Sequence, residues 1–240
     1  VASGSRFSVD VVVGADGANS GLRRKLLPEV SSQYAGYVAW RGTLPEEDAP
    51  RALVDFFDDT FAFSESRSGG HILHYFIPGE EAETRRMNWV WYVRVSEGDL
   101  EALLTDRNGT THRGSLSPGE TSDAARTALR SLARREVHPK FAALVEATPD
   151  PFVQVIADVS VPGTVFGRTI LSGDAAFVVR PHTAGATAKA AHDALAIASN
   201  LHKHATLEEG LRAAQQEQLQ YGQAMTQYGV SLGARWARAR

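Results

Sequence analysis

The feature that most constrains this chain is a pattern used twice: an apolar run, a Gly-Asp turn and a helix. It occurs in "VDVVVGADGANSGLRRKLL" at residues 9–27 and in "RTILSGDAAFVVRPHTAGATAKAAHDALAIASNLH" at 168–202. Val9 to Val13 are β-branched and nearly continuous, which predicts a strand buried on both faces of a parallel sheet. Asn19 or Ser20 can cap a short basic helix from Gly21 to Leu27, which Pro28 follows. In open α/β sheets ligands collect at the carboxyl ends of strands, so both Gly-Asp turns are candidate binding points.

Between the two ends the period changes. "YAGYVAWRGTL", "ALVDFFDD", "TFAFSES", "GGHILHYFIPG" and "RMNWVWYVRV" read as five strands separated by turn clusters, giving a mostly antiparallel, aromatic-rich sheet. Residues 106–121 are rich in Gly, Ser, Thr, Asn and Pro and predict a loop. Helices are expected at 121–135 and 138–147, strands near 153–160 and 168–173, and helices at 185–202 and from 206 onward. The division expected is 1–33, 34–150 and 151–240. With 240 residues and 43% hydrophobic side chains, the chain can bury one large core or two smaller ones.

Asp174 would project from a strand end into a crevice, where an ionised carboxylate accepts hydrogen bonds from sugar-like hydroxyls. The small residues of "HTAGATAKAA" let a helix start approach a flat ligand closely and present unpaired N–H groups to it. Alone, each Gly-Asp also reads as an ordinary turn or helix cap. The chain has no Cys and a formal net charge of −3, with scattered basic residues, so thiol chemistry is excluded and nucleic acid is not expected as a partner. No apolar run reaches membrane-spanning length, so a membrane is not expected either, and a cytoplasmic setting is compatible. "HILH" and "HKH" lack acidic neighbours at ligand spacing, so no metal is expected. No Ser-His-Asp order or nucleophile elbow occurs.

The order "VVVGADGANSGLR" followed by "LSGDAA...P...AHDALA" resembles the FAD-dependent aromatic hydroxylases, the single-component flavoprotein monooxygenases. Asp16, Gly17, Ser20 and Arg23 match that family's D-G-x-x-S-x-x-R motif. Gly173 and Asp174 match its G-D motif, and Pro181 matches the proline beside the flavin ring. "YAGYVAWRG", "GGHILHYFIPG", "MNWVWY" and "RPHTAGATAKAAHDA" are similar to the branch that hydroxylates dihydroxypyridines. The resemblance implies an α/β, p-hydroxybenzoate-hydroxylase-like fold: part of a GxGxxG-type FAD-binding domain with an inserted, mostly antiparallel substrate-domain sheet. It further implies FAD as cofactor, NAD(P)H as co-substrate and hydroxylation of a small electron-rich aromatic through a flavin C4a-hydroperoxide, with a homodimer left open. Asp174 would bind the ribityl hydroxyls and Asp16 would lie near the pyrophosphate.

Departures from the family pattern bear on the helix start. Ala184, Ala186 and Ala188 stand where P-x-x-G-x-G-x-N has Gly, Gly and Asn, and Gly185 lies one place off. No G-x-G-x-x-G occurs in the chain, which is therefore read as an N-terminally truncated piece beginning downstream of that unit. Alternatives within this reading are a truncated chain that binds no flavin and a same-fold epoxidase or reductase. Candidate catalytic residues are His71, Tyr75 and His182. Strand alternation puts His71, Leu73 and Tyr75 on one face and Ile72, His74 and Phe76 on the other, so either His71 or His74 is a candidate for polarising a ring hydroxyl. Asn88, Trp89 and Trp91 read as pocket wall or as core. Arg41 and Arg180 are the cations available to a substrate carboxylate.

Overall fold

The computed structural model describes Gly4 and residues 6–238, with side chains to residue 234. In chain order the elements are β1 (Val12–Gly14), α1 (Gly21–Leu26), β2 (Gln33–Pro45), α2 (Arg51–Phe57), β3 (Ala62–Glu65), β4 (His71–Pro78), β5 (Arg85–Arg94) and α3 (Glu97–Leu103). They continue with α4 (Asp123–Glu136), α5 (Pro139–Ala147), β6 (Phe152–Ser160), β7 (Val165–Phe166), β8 (Thr169–Leu171), β9 (Phe177–Val178), α6 (Ala186–Lys203) and α7 (Leu207–Arg238). Two compact units result: residues up to 33 together with 157–234, and residues 34–156. Residues 151–156 fall with the second unit because β6 starts in its sheet.

That sheet runs β3-β4-β5-β2-β6, antiparallel from β3 to β2. One face carries Val38, Trp40 and Leu44 of β2, Ile72 of β4, and Met87, Trp89 and Trp91 of β5, packed on Leu53 and Phe57 of α2, Leu129 of α4 and Leu144 of α5. Gly42 belongs to this face, and a Cβ there would lie 2.8 Å from the Trp89 ring. The opposite face groups Tyr37, Ala39, Val90, Tyr92 and Ile156, with Leu73 against them. The loop at 106–121 is organised by Asp106, whose carboxylate accepts from the N–H groups of Asn108 and Thr110 and pairs with His112 Nε2 at 2.9 Å.

Two expectations fail here for identifiable reasons. "ALVDFFDD" forms α2, not a strand: its apolar residues Leu53, Val54 and Phe57 recur at helical spacing and all three are buried. Pro50 precedes the first turn, where its fixed φ suits helix entry. Residues 97–103, for which no element was expected, form α3, capped by Ser96 accepting from the Asp99 N–H at 3.2 Å.

In the other unit β1 pairs in parallel with β8, and β7 pairs antiparallel with β8. Gln218 of α7 holds this sheet end: its Oε1 accepts from Thr164 Oγ1 at 2.8 Å and its Nε2 donates to the Leu171 carbonyl at 3.2 Å. Ile170 of β8, Ile197 of α6 and Leu211 of α7 form the local core. The end of β6 pairs with β9 through Val159 and Val178. The first strand corrects the reading of Val9–Val13 as doubly buried. Only Val12–Gly14 is strand, and Val9 and Val13 are 58% and 50% exposed, because side chains are buried by what packs on the faces of a sheet and the described residues leave these two partly uncovered.

Candidate functional site

The site is built where β1 and β8 end side by side. After β1 the chain turns through Gly17, whose φ of +79° is accessible to glycine at little cost, and enters α1. Ser20 caps α1, its Oγ accepting from the Arg23 N–H at 2.8 Å. The same hydroxyl donates to Asp16 Oδ1, and the Leu22 N–H donates to Asp16 Oδ2 at 3.1 Å. The Ser20 hydrogen bond leads in holding the Asp16 carboxyl below its ordinary pKa. Arg23 is buried beneath this turn. Its Nη1 donates to the carbonyls of Asp174 at 3.2 Å and Ala175 at 3.0 Å, and its Nη2 donates to the Ala18 carbonyl. The two Gly-Asp turns are thus fastened together by one guanidinium.

β8 ends at Leu171, and Gly173 adopts φ +59° to start a 3-10 turn over Gly173–Ala175. Both polar main-chain atoms of Gly173 are held by α6: its N–H donates to Asp193 Oδ2 at 2.8 Å and its carbonyl accepts from Lys189 Nζ at 3.0 Å. Lys189 and Asp193 are fully buried and 2.6 Å apart. The Asp174 carboxylate, by contrast, accepts no hydrogen bond from any described residue and caps no helix. Burial raises its pKa, and Lys189 opposes that rise. It lines a groove of about 770 Å³ with Gly17, Gly173, Ala186, Thr187 and Ala190.

α6 opens without a side-chain cap, so its first N–H groups are available to a ligand. Gly185, just before it, is buried against Met225, whose Cε would lie 2.2 Å from a Cβ. Ala184, in one of the usual glycine positions, takes φ +52°. Pro181 starts a 3-10 turn with His182 and Thr183 and is exposed. His182 Nε2 lies 3.1 Å from the Gly229 carbonyl of α7, and burial holds its pKa below the ordinary value despite that contact. Arg180 makes a two-point ion pair with Asp158, at 2.8 and 2.5 Å, so its charge is already matched.

On the sheet unit, His71 and Tyr75 share a face. His71 is buried between Phe63 and Tyr92, with ring centroids 4.9 Å from each, and Tyr75 stacks on Phe61 at 5.7 Å. Asn88 faces the same side as Tyr75, its register partner. His74 lies in the core face, fully buried against Phe57 at 4.3 Å, where desolvation lowers its pKa to about 4 and no surface is left for a ligand to reach it. Trp89 and Trp91 are core as well, their indole N–H groups donating to Thr148 and Ser66. Arg41 is half-buried with its Nη1 on Gln154 Oε1 at 3.1 Å. Among the described residues no three acidic or His side chains converge as metal ligands, and no helix is long and apolar enough to cross a membrane. The pair Lys189–Asp193 escaped the sequence reading. Its signal was present: a lysine and an aspartate four residues apart in the alanine-rich first half of a helix, on one face of it.

Two strand-end turns joined by a buried arginine, with an antiparallel sheet inserted between them in sequence, define the p-hydroxybenzoate-hydroxylase-like class of flavoprotein fold. The FAD binding domain-like family matches residues 34–158, more than half of the chain, and the chain belongs to that family. It is 37% identical over 235 residues to 2,6-dihydroxypyridine 3-monooxygenase of Paenarthrobacter nicotinovorans, covering 92% of this chain and 55% of that protein. It is 27% identical over 198 residues to 6-hydroxynicotinate 3-monooxygenase of Pseudomonas fluorescens, covering 82% and 45%. The solved structure of 2,6-dihydroxypyridine-3-hydroxylase from Arthrobacter nicotinovorans matches with a TM-score of 0.89 at 35% identity, over 98% of this chain and 59% of that one. The chain spans about half the length of the curated relatives it matches.

Proposed function

We propose that this chain is the Gly-Asp turn and substrate-sheet portion of an FAD-dependent monooxygenase that hydroxylates a small hydroxypyridine, using NAD(P)H and dioxygen. One observation carries the reading: a half-buried carboxylate, Asp174, that the protein itself leaves without a donor, at the end of a strand and in a groove walled by small residues. A ligand rich in hydroxyls completes it, and the ribityl chain of FAD is such a ligand. Gly17, Gly173 and Ala186 leave room for a planar molecule, and the uncapped start of α6 offers N–H groups to its electron-rich edge. Asp16, Ser20 and Arg23 serve by fixing the first turn against the second, and Pro181 and Gly185 by shaping the approach to α6. When bound, FAD supplies the redox chemistry that activates dioxygen for transfer of one oxygen atom to the ring.

The chain's own residues then have to hold and activate the aromatic ring. The sheet face carrying His71, Tyr75, Tyr92 and Tyr37 supplies aromatic walls that exclude water. His71 polarises a ring hydroxyl at an imidazole nitrogen, and Tyr75 orients the ring with its own hydroxyl. His182 supports the turn beside Pro181 through its contact with α7. A dihydroxypyridine is favoured over a benzoate because the two arginines considered for a carboxylate are already engaged, Arg180 with Asp158 and Arg41 with Gln154 Oε1. The test is made on the full-length protein that contains this chain. It should purify with flavin absorbance, oxidise NADH faster when 2,6-dihydroxypyridine is added, and yield a hydroxylated product carrying one oxygen atom from dioxygen. Turnover of 4-hydroxybenzoate or salicylate in its place would overturn the substrate class, and a colourless protein that FAD does not stabilise would overturn the whole reading.

A further inference from the structure

Lys189 and Asp193 are the most thoroughly buried ionic groups in the described chain that no step above uses. Burying an ammonium and a carboxylate costs several kcal/mol each before pairing, so such a pair persists where geometry and extra hydrogen bonds offset that cost. Here the extra bonds both go to Gly173. Lys189 Nζ holds its carbonyl at 3.0 Å and Asp193 Oδ2 holds its N–H at 2.8 Å, so the left-handed glycine is fixed from both sides. The next residue is Asp174. We propose that the Lys189–Asp193 pair is a positioning device for the cofactor turn, locking Gly173 and placing a fixed positive charge behind Asp174 so that its carboxylate meets the ligand ionised.

The surroundings single out Lys189. α1 contributes Arg23, which is spent on the main-chain carbonyls of Asp174, Ala175 and Ala18. α6 contributes Lys189 and Asp193, with His192 Nδ1 4.0 Å from Asp193 Oδ1. β9 brings only Phe177 and Val178 to the turn, and Asp16 is bound to Ser20 and the Leu22 N–H. Asp193 Oδ1 has no hydrogen-bond partner among the described residues, so the acid is held through Oδ2 alone, by Lys189 Nζ at 2.6 Å and the Gly173 N–H at 2.8 Å. Burial and Lys189 push the Asp174 pKa in opposite directions, with burial the larger. Removing the lysine charge therefore moves that pKa further up, and the ionised form is lost at a higher pH.

The inference rests on FAD binding at the Asp174 turn, and the test separates the two. FAD affinity of the full-length protein is measured by fluorescence between pH 5 and 8.5 for the wild type, Asp174→Asn, Lys189→Met and Lys189→Arg. If Asp174→Asn binds FAD as the wild type does at pH 8, the parent reading fails, whatever Lys189 does. If it binds more weakly, Lys189→Met should move the acid limb of the affinity profile up by about one pH unit, a tenfold loss near the limb, while Lys189→Arg restores most of its position. A folded Lys189→Met with the limb where the wild type has it, including one that is uniformly weaker at every pH, overturns the proposal. Should Lys189→Met fail to fold with Asp193 left unpaired, Lys189→Met/Asp193→Asn keeps an acceptor for the Gly173 N–H without the charge, and the same two outcomes decide.

Discussion

At Asp174 and Asp16 the same side chain follows a strand and meets opposite surroundings. Asp16 is satisfied by Ser20 and the Leu22 N–H, and Asp174 has no protein donor. Asp174→Ala in the full-length protein should weaken FAD binding by roughly 1.5 to 3 kcal/mol, the scale of hydrogen bonds to a charged group, as read by flavin titration. His74 gives a prediction in pH. Its folded pKa, about 4, lies below the ordinary 6.5 because burial disfavours the cation. Above pH 6.5 both folded and unfolded states are neutral there. As pH falls from 6.5 to 4 the unfolded state gains a proton that the folded state refuses, so stability drops through that window and levels off below it. His74→Leu should fold with less than about 1.5 kcal/mol of loss at pH 7.5. Denaturant midpoints at pH 7.5 and 5 should then fall less between the two values than those of the wild type. Ala184 sits at φ +52°, where a Cβ costs about 1 to 2 kcal/mol. Ala184→Gly should leave stability unchanged or raise it by up to about 1 kcal/mol, whereas Ala191→Gly within α6 should lower it by about 0.5 to 1 kcal/mol, both measured by denaturation.

Among the elements, the long ones could be read from the sequence. α4, α5, α6 and β4 with β5 follow from runs of helical or alternating period that tertiary contacts do not override, and the core role of Trp89 and Trp91 follows from their alternation on β5. The position of Asp174 at a strand end was legible from "TILSGD" for the same reason. What was not legible depends on partners distant in sequence. Nothing local says that Arg23 reaches Ala175, 152 positions away, or that β1 pairs with β8, more than 150 positions on. "ALVDFFDD" was misread because five apolar or aromatic residues in a short window fit either period, and the buried set Leu53, Val54 and Phe57 decides for the helix. Sheet packing at β2 yields its own test. Gly42→Ala places a methyl 2.8 Å from Trp89 and 2.7 Å from Thr148, the pair joined by the indole hydrogen bond, and should cost about 1 to 3 kcal/mol in a denaturant titration. Arg23→Met strips donors from three carbonyls and should lower stability by about 2 to 4 kcal/mol while also weakening flavin binding.

Taken as a whole molecule, residues 1–240 present Phe7 at 73% exposure beside the exposed Val9, Val12 and Val13. Large apolar side chains left exposed within one short segment drive association. Expressed by themselves, these residues should self-associate by light scattering, less so with Val9→Thr and Val13→Thr. The pairing of β1 with β8 also sets a clock during synthesis. Residues 34–156 are contiguous and can complete their sheet as soon as they emerge, whereas β1 is made early and its partner at Thr169–Leu171 late. At roughly 5 to 20 residues per second, the 152 positions separating Arg23 from Ala175 take on the order of 8 to 30 seconds to translate. Throughout that interval β8, the strand that β1 pairs with among the described residues, has not been made, so slowing the ribosome between codons 34 and 156 should lower the yield of folded protein even though no residue of the finished chain is changed.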